Sequence, residues 1–259
     1  MSSESKSLTL MDMIKIQINT NSKGYNVQNN TSNELEVRFG TRGREKISHI
    51  DYENVIRKLK SLGFEAENVL GEQYLKIQNQ YVDAKTGSTK LSNLRTTISG
   101  LSAIQTYCKE NKLSNIPDSQ IEFMLKMFAK DSSDKPIYPI NKDDFNMRYS
   151  YQTETILSSN SGIVKSITDV WDDSKKTFRY INRVSFRKSG LPFRVDLSIV
   201  KNSNFDRRRQ FIPTYNISES GVFENNPSYE IELEVDNSLI GNYTAYQTPE
   251  ALEKVIKYG

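Results

Sequence analysis

ELEVRFG, residues 34–40, and YEIELEVD, residues 229–236, alternate charged and apolar side chains with a period of two. A strand places alternate residues on opposite faces. Glu34, Glu36 and Arg38 therefore share one face of the first segment, with Leu35, Val37 and Phe39 on the other. In the second, Glu230, Glu232, Glu234 and Asp236 oppose Ile231, Leu233 and Val235. Like charges spaced two residues apart repel unless cations lie over them. A sheet with one solvated face also shows such alternation, but two segments, one carrying four acids, point to something more. Hard cations such as Mg²⁺ or Mn²⁺ take oxygen ligands, often two or more carboxylates completed by phosphate and water. An E-x-E on each of two neighbouring strands supplies that set.

The segments between these two repeat the pattern with both charge signs. In 145–154, Asn146, Arg148, Ser150, Gln152 and Glu154 fall on one face, against Phe145, Met147, Tyr149 and Tyr151. In 179–187, Arg179, Arg183, Ser185 and Arg187 align with Ile181; in 193–199, Arg194, Asp196 and Ser198 oppose Phe193, Val195, Leu197 and Ile199. Arg95 sits mid-strand in LRTTISG and Lys126 in FMLKMF, although a lysine stem snorkelling from an apolar strand gives the same appearance. Many strands with one apolar and one doubly charged face predict a mainly β (α+β) fold. The expected architecture is a closed antiparallel barrel with a polar, charged lumen and an apolar outside packed under a few helices. Arginines on such a wall grip phosphate oxygens with two N–H groups at once. With carboxylates to hold a metal, these are the parts for transferring a phosphoryl group to water.

Strands are predicted over 33–39, 72–83, 90–98, 121–130, 145–156, 163–171, 176–187, 193–201 and 228–236. Helices are expected over 49–62, with Ser48 as cap and Gly63 as stop, over 101–112, and from Thr248-Pro249 onward. Residues 20–33 read as a polar loop. The expected organisation is a single domain over 1–259, with a helix and loop extension over 1–30 and a C-terminal helix over 245–259. That helix still runs at Gly259, which suggests a further domain beyond it.

Composition narrows the function. The 259 residues carry 35 basic and 32 acidic side chains, net charge +3, less lopsided than a protein that coats DNA. One cysteine and one histidine exclude an intrachain disulfide and a structural zinc site, and favour a reducing, cytoplasmic setting. No apolar run approaches the roughly 20 residues of a membrane span, so no membrane partner is expected. No G-x-x-x-x-G-K-[ST] loop is present, which excludes a P-loop NTPase. The basic run Arg207, Arg208 and Arg209 reads as a solvated loop, with RNA at the barrel mouth as the alternative.

ELEVRFG resembles the E-x-E-x-K/R first strand of the triphosphate tunnel metalloenzymes, and YEIELEVD resembles their closing E-x-E strand. NMRYSYQTE, RYINRVSFR and FRVDLSIVK follow between them in the order of that family's RNA triphosphatases, above all those of large-DNA-virus capping enzymes of the mimivirus and poxvirus type. The resemblance spans roughly residues 30–240. It implies an RNA 5′-triphosphatase using Mn²⁺ or Mg²⁺ and acting first in mRNA capping, in a host cytoplasm or a virion. It implies metal binding by Glu34, Glu36, Glu232 and Glu234, with Glu230 as the alternative partner in the last strand. Phosphate contacts are implied for Arg95, Lys126, Arg183 and Arg187, with Arg38, Arg148 and Arg179 on the same walls. Catalysis is implied for Glu154, which would orient the attacking water, with Arg183 and with Asp196 supporting a basic residue or a metal-bound water. Arg38 stands where many members carry lysine, and the register within 179–187 is open by one step. Partners implied are triphosphate-ended RNA, free NTP, and fused or associated guanylyltransferase and methyltransferase domains. No K-x-D-G nucleophile motif occurs in this chain. The competing readings are a tunnel hydrolase of free NTP or polyphosphate and a non-catalytic RNA-binding barrel.

Overall fold

The structure is a computed structural model that describes residues 8–22, 30–40, 46–242 and 244–258. In chain order its elements are α1 (Leu10–Ser22), β1 (Thr31–Phe39), α2 (His49–Ser61), β2 (Glu65–Ala66), β3 (Glu72–Val82), β4 (Thr89–Leu91) and β5 (Leu94–Ser99). Next come α3 (Leu101–Glu110), β6 (Ile121–Phe128), β7 (Ile140–Lys142), β8 (Met147–Leu157) and α4 (Gly162–Thr168). The last are β9 (Lys176–Arg187), β10 (Phe193–Asn202), β11 (Ser228–Val235) and α5 (Pro249–Tyr258). Residues 1–7 and 23–29 of the expected N-terminal extension lie outside the described residues.

Eight strands pair antiparallel in the order β9-β10-β11-β1-β8-β6-β5-β3, and β3 pairs back onto β9 to close a barrel. Closure removes the unpaired edges that an open sheet exposes. The two E-x-E strands are neighbours: Glu36 stands opposite Glu234 and Arg38 opposite Glu232. No helix among the described residues is long and apolar enough to cross a membrane.

The hydrocarbon core lies outside the barrel wall. Leu35 and Val37 of β1 and Tyr149 and Tyr151 of β8 pack under Met13 and Ile14 of α1 and Leu252 of α5. On the next side, Tyr52 and Leu59 of α2 cover Val195, Leu197 and Ile231. Ile104 and Tyr107 of α3 cover Leu75, Ile77 and Ile98. Val164 of α4 covers Leu94 and Phe123. Each such fully buried aliphatic side chain contributes about 1.5–3 kcal/mol. The lumen offers no comparable gain, so the outer layer holds the barrel closed against the charge packed inside it.

Local chemistry places the helices. At α2, the Ser48 hydroxyl accepts from the Asp51 N–H while the Asp51 carboxylate accepts from the Ser48 N–H, a reciprocal cap. The helix stops at Gly63, which takes φ +81° without a Cβ clash. The predicted strand over 163–171 is instead α4. Ile163, Lys165 and Ile167 alternate as a strand would, yet Ser161 caps Val164 N–H at 3.3 Å. Val164 and Ile167 then share the face turned to Leu94 and Phe123. The predicted strand over 90–98 is broken at Ser92, whose hydroxyl accepts from Leu94 N–H at 3.0 Å and divides β4 from β5. Asn146, expected on the charged face of β8, turns with φ +49° just before that strand begins.

Candidate active site

The barrel encloses a cavity of about 530 Å³. From β1 it receives Glu34, Glu36 and Arg38; from β11, Glu232 and Glu234. Arg148 and Glu154 of β8, Lys126 of β6, Arg95 of β5, and Arg179 and Arg183 of β9 complete the predicted residues that line it. They converge because cross-strand partners share a face: Lys126 opposes Glu154, and Glu34 opposes Gln152, another lining residue. Three predicted residues are not in this lining. Glu230 is hydrogen-bonded to Arg179 and, at 3.3 Å, to Arg38. Asp196, 1% exposed, shares the inward face of β10 with Arg194 but is covered by the Arg183 and Arg194 side chains that donate to it. Arg187 pairs with Glu67 and with Asp236 at 2.7 Å. The open register within 179–187 resolves with Arg183 opposite Ser198 and with Ile181 on the lumen face beside it.

Most of the charges are paired. Lys126 bridges Glu34 and Glu154, the latter at 2.8 Å. Glu232 is held by Arg38 and Arg183, at 2.8 and 2.9 Å. Arg183 also donates to Asp196 at 2.9 Å and to Ser198 at 3.1 Å, so its whole guanidinium edge is committed. Asp196 further accepts from Ser185 at 2.7 Å and Arg194 at 3.2 Å. Arg194, which also grips Glu234, lines the cavity but is absent from the expected site. It lies on the charged face of β10, and the alternation there marked it.

The acids respond unequally to this crowding. Burial would raise Glu34 and Glu232, but Lys126 outweighs it for the first and Arg38 with Arg183 for the second, and both stay below the ordinary range. Glu36 forms no ion pair among the described residues. Burial and then the Glu34 charge push its carboxyl up to about 7. Glu234 is pushed up to about 8 by burial and by Glu34, to which it is hydrogen-bonded, in spite of Arg194. The acids thus sit close enough for some to retain protons near neutrality.

Two cations are the converse. Lys76 on β3 lines the cavity without an ion pair among the described residues, and burial with Arg183 and Arg95 drives its ammonium down to about 8. Arg95 likewise has no ion pair there, and burial with Arg179 lowers it. Lys76 was missed in the sequence, where it sits between Leu75 and Ile77 in a strand with no other charge on that face until Glu72. A buried, unpaired cation is costly, and an anion entering the cavity would relieve that cost at both side chains.

The donor set suits a hard divalent cation, with carboxylate oxygens from adjacent strands and two acids holding protons a metal would displace. Among the described residues, however, no three acidic, histidine or cysteine side chains converge as a ready-made cage. Magnesium-like ions are commonly held by one or two carboxylates with phosphate and water completing the shell. The residues therefore fit a metal that arrives with its phosphate.

No family model and no curated protein sequence matches the chain. Among solved structures it is similar to the triphosphatase of the mimivirus capping enzyme, at 16% identity and a TM-score of 0.55, covering 95% of this chain and 93% of that one. A looser likeness, at 13% identity and a TM-score of 0.44, is to an RNA triphosphatase of S. pombe, covering 92% of this chain and 86% of that one. The chain shares the closed tunnel-barrel fold of the mimivirus capping enzyme triphosphatase.

Proposed function

We propose that the protein is a divalent-metal-dependent polynucleotide 5′-triphosphatase that hydrolyses the β–γ phosphoanhydride of triphosphate-ended RNA. One observation carries this reading: unpaired Lys76 and Arg95 line the same closed cavity as the crowded carboxyls Glu34, Glu36 and Glu234. Cations alone would suit any anion, and acids alone a metal. Both together suit a metal-bound polyphosphate.

In this proposal Lys76, Arg95 and Lys126 neutralise the terminal phosphate, while Arg38, Arg148 and Arg179 receive the inner ones. Arg183, tied to Asp196 and Glu232, sets the wall in place. Glu154, turned toward Lys126, accepts a hydrogen bond from the attacking water and orients its lone pair toward phosphorus. The water oxygen bonds to the γ-phosphorus as the bridging oxygen leaves with the β-phosphate; one of the water's two protons departs on the released phosphate and the other passes to solvent. Glu34, Glu36, Glu232 and Glu234 would hold the metal; Glu230 lies off the cavity lining. A bound divalent cation would supply further charge neutralisation on the phosphate oxygens. Arg187, at the barrel end, has no part in these steps. The diphosphate end would next pass to guanylyltransferase and methyltransferase domains, fused or associated.

The test is phosphate release from triphosphate-ended RNA with Mn²⁺ or Mg²⁺, compared with chelated samples and with free ATP. Metal-dependent release from RNA is expected. Absence of release with either metal overturns the reading, and release from ATP alone replaces RNA by free nucleotide.

A further inference from the structure

The cavity is not charged throughout. Phe128, at the end of β6, and Phe211, beyond β10, both line it. Each is backed by a second ring that does not. Tyr138 meets Phe128 edge-on at 5.4 Å, and Phe205 stacks on Phe211 at 4.6 Å and 28°. These rings are costly where they are: Phe128 is 45% exposed and Tyr138 64%. Phe205 and Phe211 bridge backbone to backbone, and the turn they close carries Arg207, Arg208 and Arg209, all exposed. Arg209 takes a left-handed φ of +60° at the tip. Exposed rings thus continue the lining of a cationic cavity, with three arginines beside them. A protein partner would need only the apolar surface. The union of ring faces, basic turn and phosphate-binding lumen fits a nucleotide chain.

We propose that this rim binds the first nucleotides of single-stranded RNA: bases stack on Phe128 and Phe211, and Arg207–Arg209 meet the following phosphates. The proposal rests on the reading that the lumen takes the 5′-triphosphate, and adds what distinguishes RNA from inorganic tripolyphosphate. Base–aromatic stacking is insensitive to base identity, because every base offers a π-face. The rim therefore predicts little sequence preference at the 5′ end.

The experiment measures equilibrium binding of a triphosphate-ended oligoribonucleotide and of inorganic tripolyphosphate to the full chain. It compares the parent with Phe128→Ala, Phe211→Ala, Phe211→Trp and the triple change of Arg207, Arg208 and Arg209 to glutamine. Melting curves confirm folding, and Phe211→Trp, which keeps a ring, guards against loss of structure in the alanine variants. The expected result is a roughly tenfold fall in preference for RNA over tripolyphosphate in each alanine variant, with preference retained in Phe211→Trp. In the triple variant the salt dependence of RNA binding should become shallower by about 0.7 for each phosphate that the turn no longer neutralises. A parent that binds both ligands, with alanine variants of unchanged preference, overturns the rim alone and leaves its rings as a surface for another partner. A parent that binds neither ligand overturns the triphosphatase reading and the rim with it.

Discussion

Lys76 stands directly across from Arg179 on the neighbouring strand. Like charges in that position destabilise a sheet. Arg179 pairs with Glu230, whereas Lys76 forms no ion pair among the described residues and feels Glu122 and Glu232 only at longer range. A fold tolerates such a pair when a ligand anion relieves it. Lys76→Met should therefore raise the melting temperature of the metal-free protein at pH 7, by a few degrees for about 1 kcal/mol. The same change should remove most of the stabilisation by tripolyphosphate. The lysine's folded value, about 8, lies below its ordinary 10.5. Its destabilising contribution is then full below pH 8 and fades as the pH rises toward 10.5, so the gain from methionine should shrink over that interval. A variant less stable than the parent at pH 7 would show Lys76 to be a structural partner instead.

Glu36 and Glu234 carry the opposite sign. Their folded values, about 7 and 8, lie above the ordinary 4.5. The stability they contribute is complete below pH 4.5 and is lost as the pH rises through 7 and 8. Glu36→Gln and Glu234→Gln should melt higher than the metal-free parent at pH 8.5, each by on the order of 2–4 °C. At pH 4.5 the advantage should vanish. Melting profiles across that range, with chelator present, decide the point; parallel profiles would mean that these carboxyls are not crowded.

Arg95 and Arg183 should part company when each is changed to lysine. Arg183 spans Asp196 and Glu232 with two nitrogens at 2.9 Å, and an ammonium cannot reach both in that geometry. Arg183→Lys should cost about 1–3 kcal/mol in stability, because it loosens the partner of a buried carboxylate. Arg95→Lys breaks no ion pair and should melt close to the parent, while turnover falls on the order of tenfold through loss of the planar fork. Denaturant titration beside phosphate release separates the two, and equal stability loss in both variants would contradict the distinction.

Metal and polyphosphate should cooperate. With few carboxylates free to form a cage, Mn²⁺ alone should stabilise the protein weakly, and tripolyphosphate alone through Lys76 and Arg95. Together, at fixed ionic strength, they should raise the melting temperature by more than the sum of the separate shifts, because a bound ion would draw oxygen ligands from the carboxylates and the phosphate alike. Merely additive shifts would place metal and phosphate at separate sites.

Alternation along single strands was enough to assign faces. Glu34, Glu36, Glu232, Glu234, Arg148 and Glu154 reach the lumen because a pleated backbone leaves them no other side once Leu35, Val37, Tyr149, Tyr151, Ile231 and Leu233 are drawn to the helices. The cap of α2 and its glycine stop were equally local, hence equally legible. Periodicity failed over 163–171, where period two and helical spacing coincide in a short run and packing on Leu94 and Phe123 decided for the helix. Pairing was never local. Which acid meets which base depends on strand order and register, relations between residues far apart in the chain. Only the closed barrel could set Arg183 between Asp196 and Glu232, carry Arg187 away to Glu67 and Asp236, and leave Lys76 without an ion pair among the described residues. The sequence by itself determined which residues face inward, because the strand repeat is a property of the backbone. The tertiary structure decided which of them are free to bind, because electrostatic balance is settled across the lumen and not along the strand.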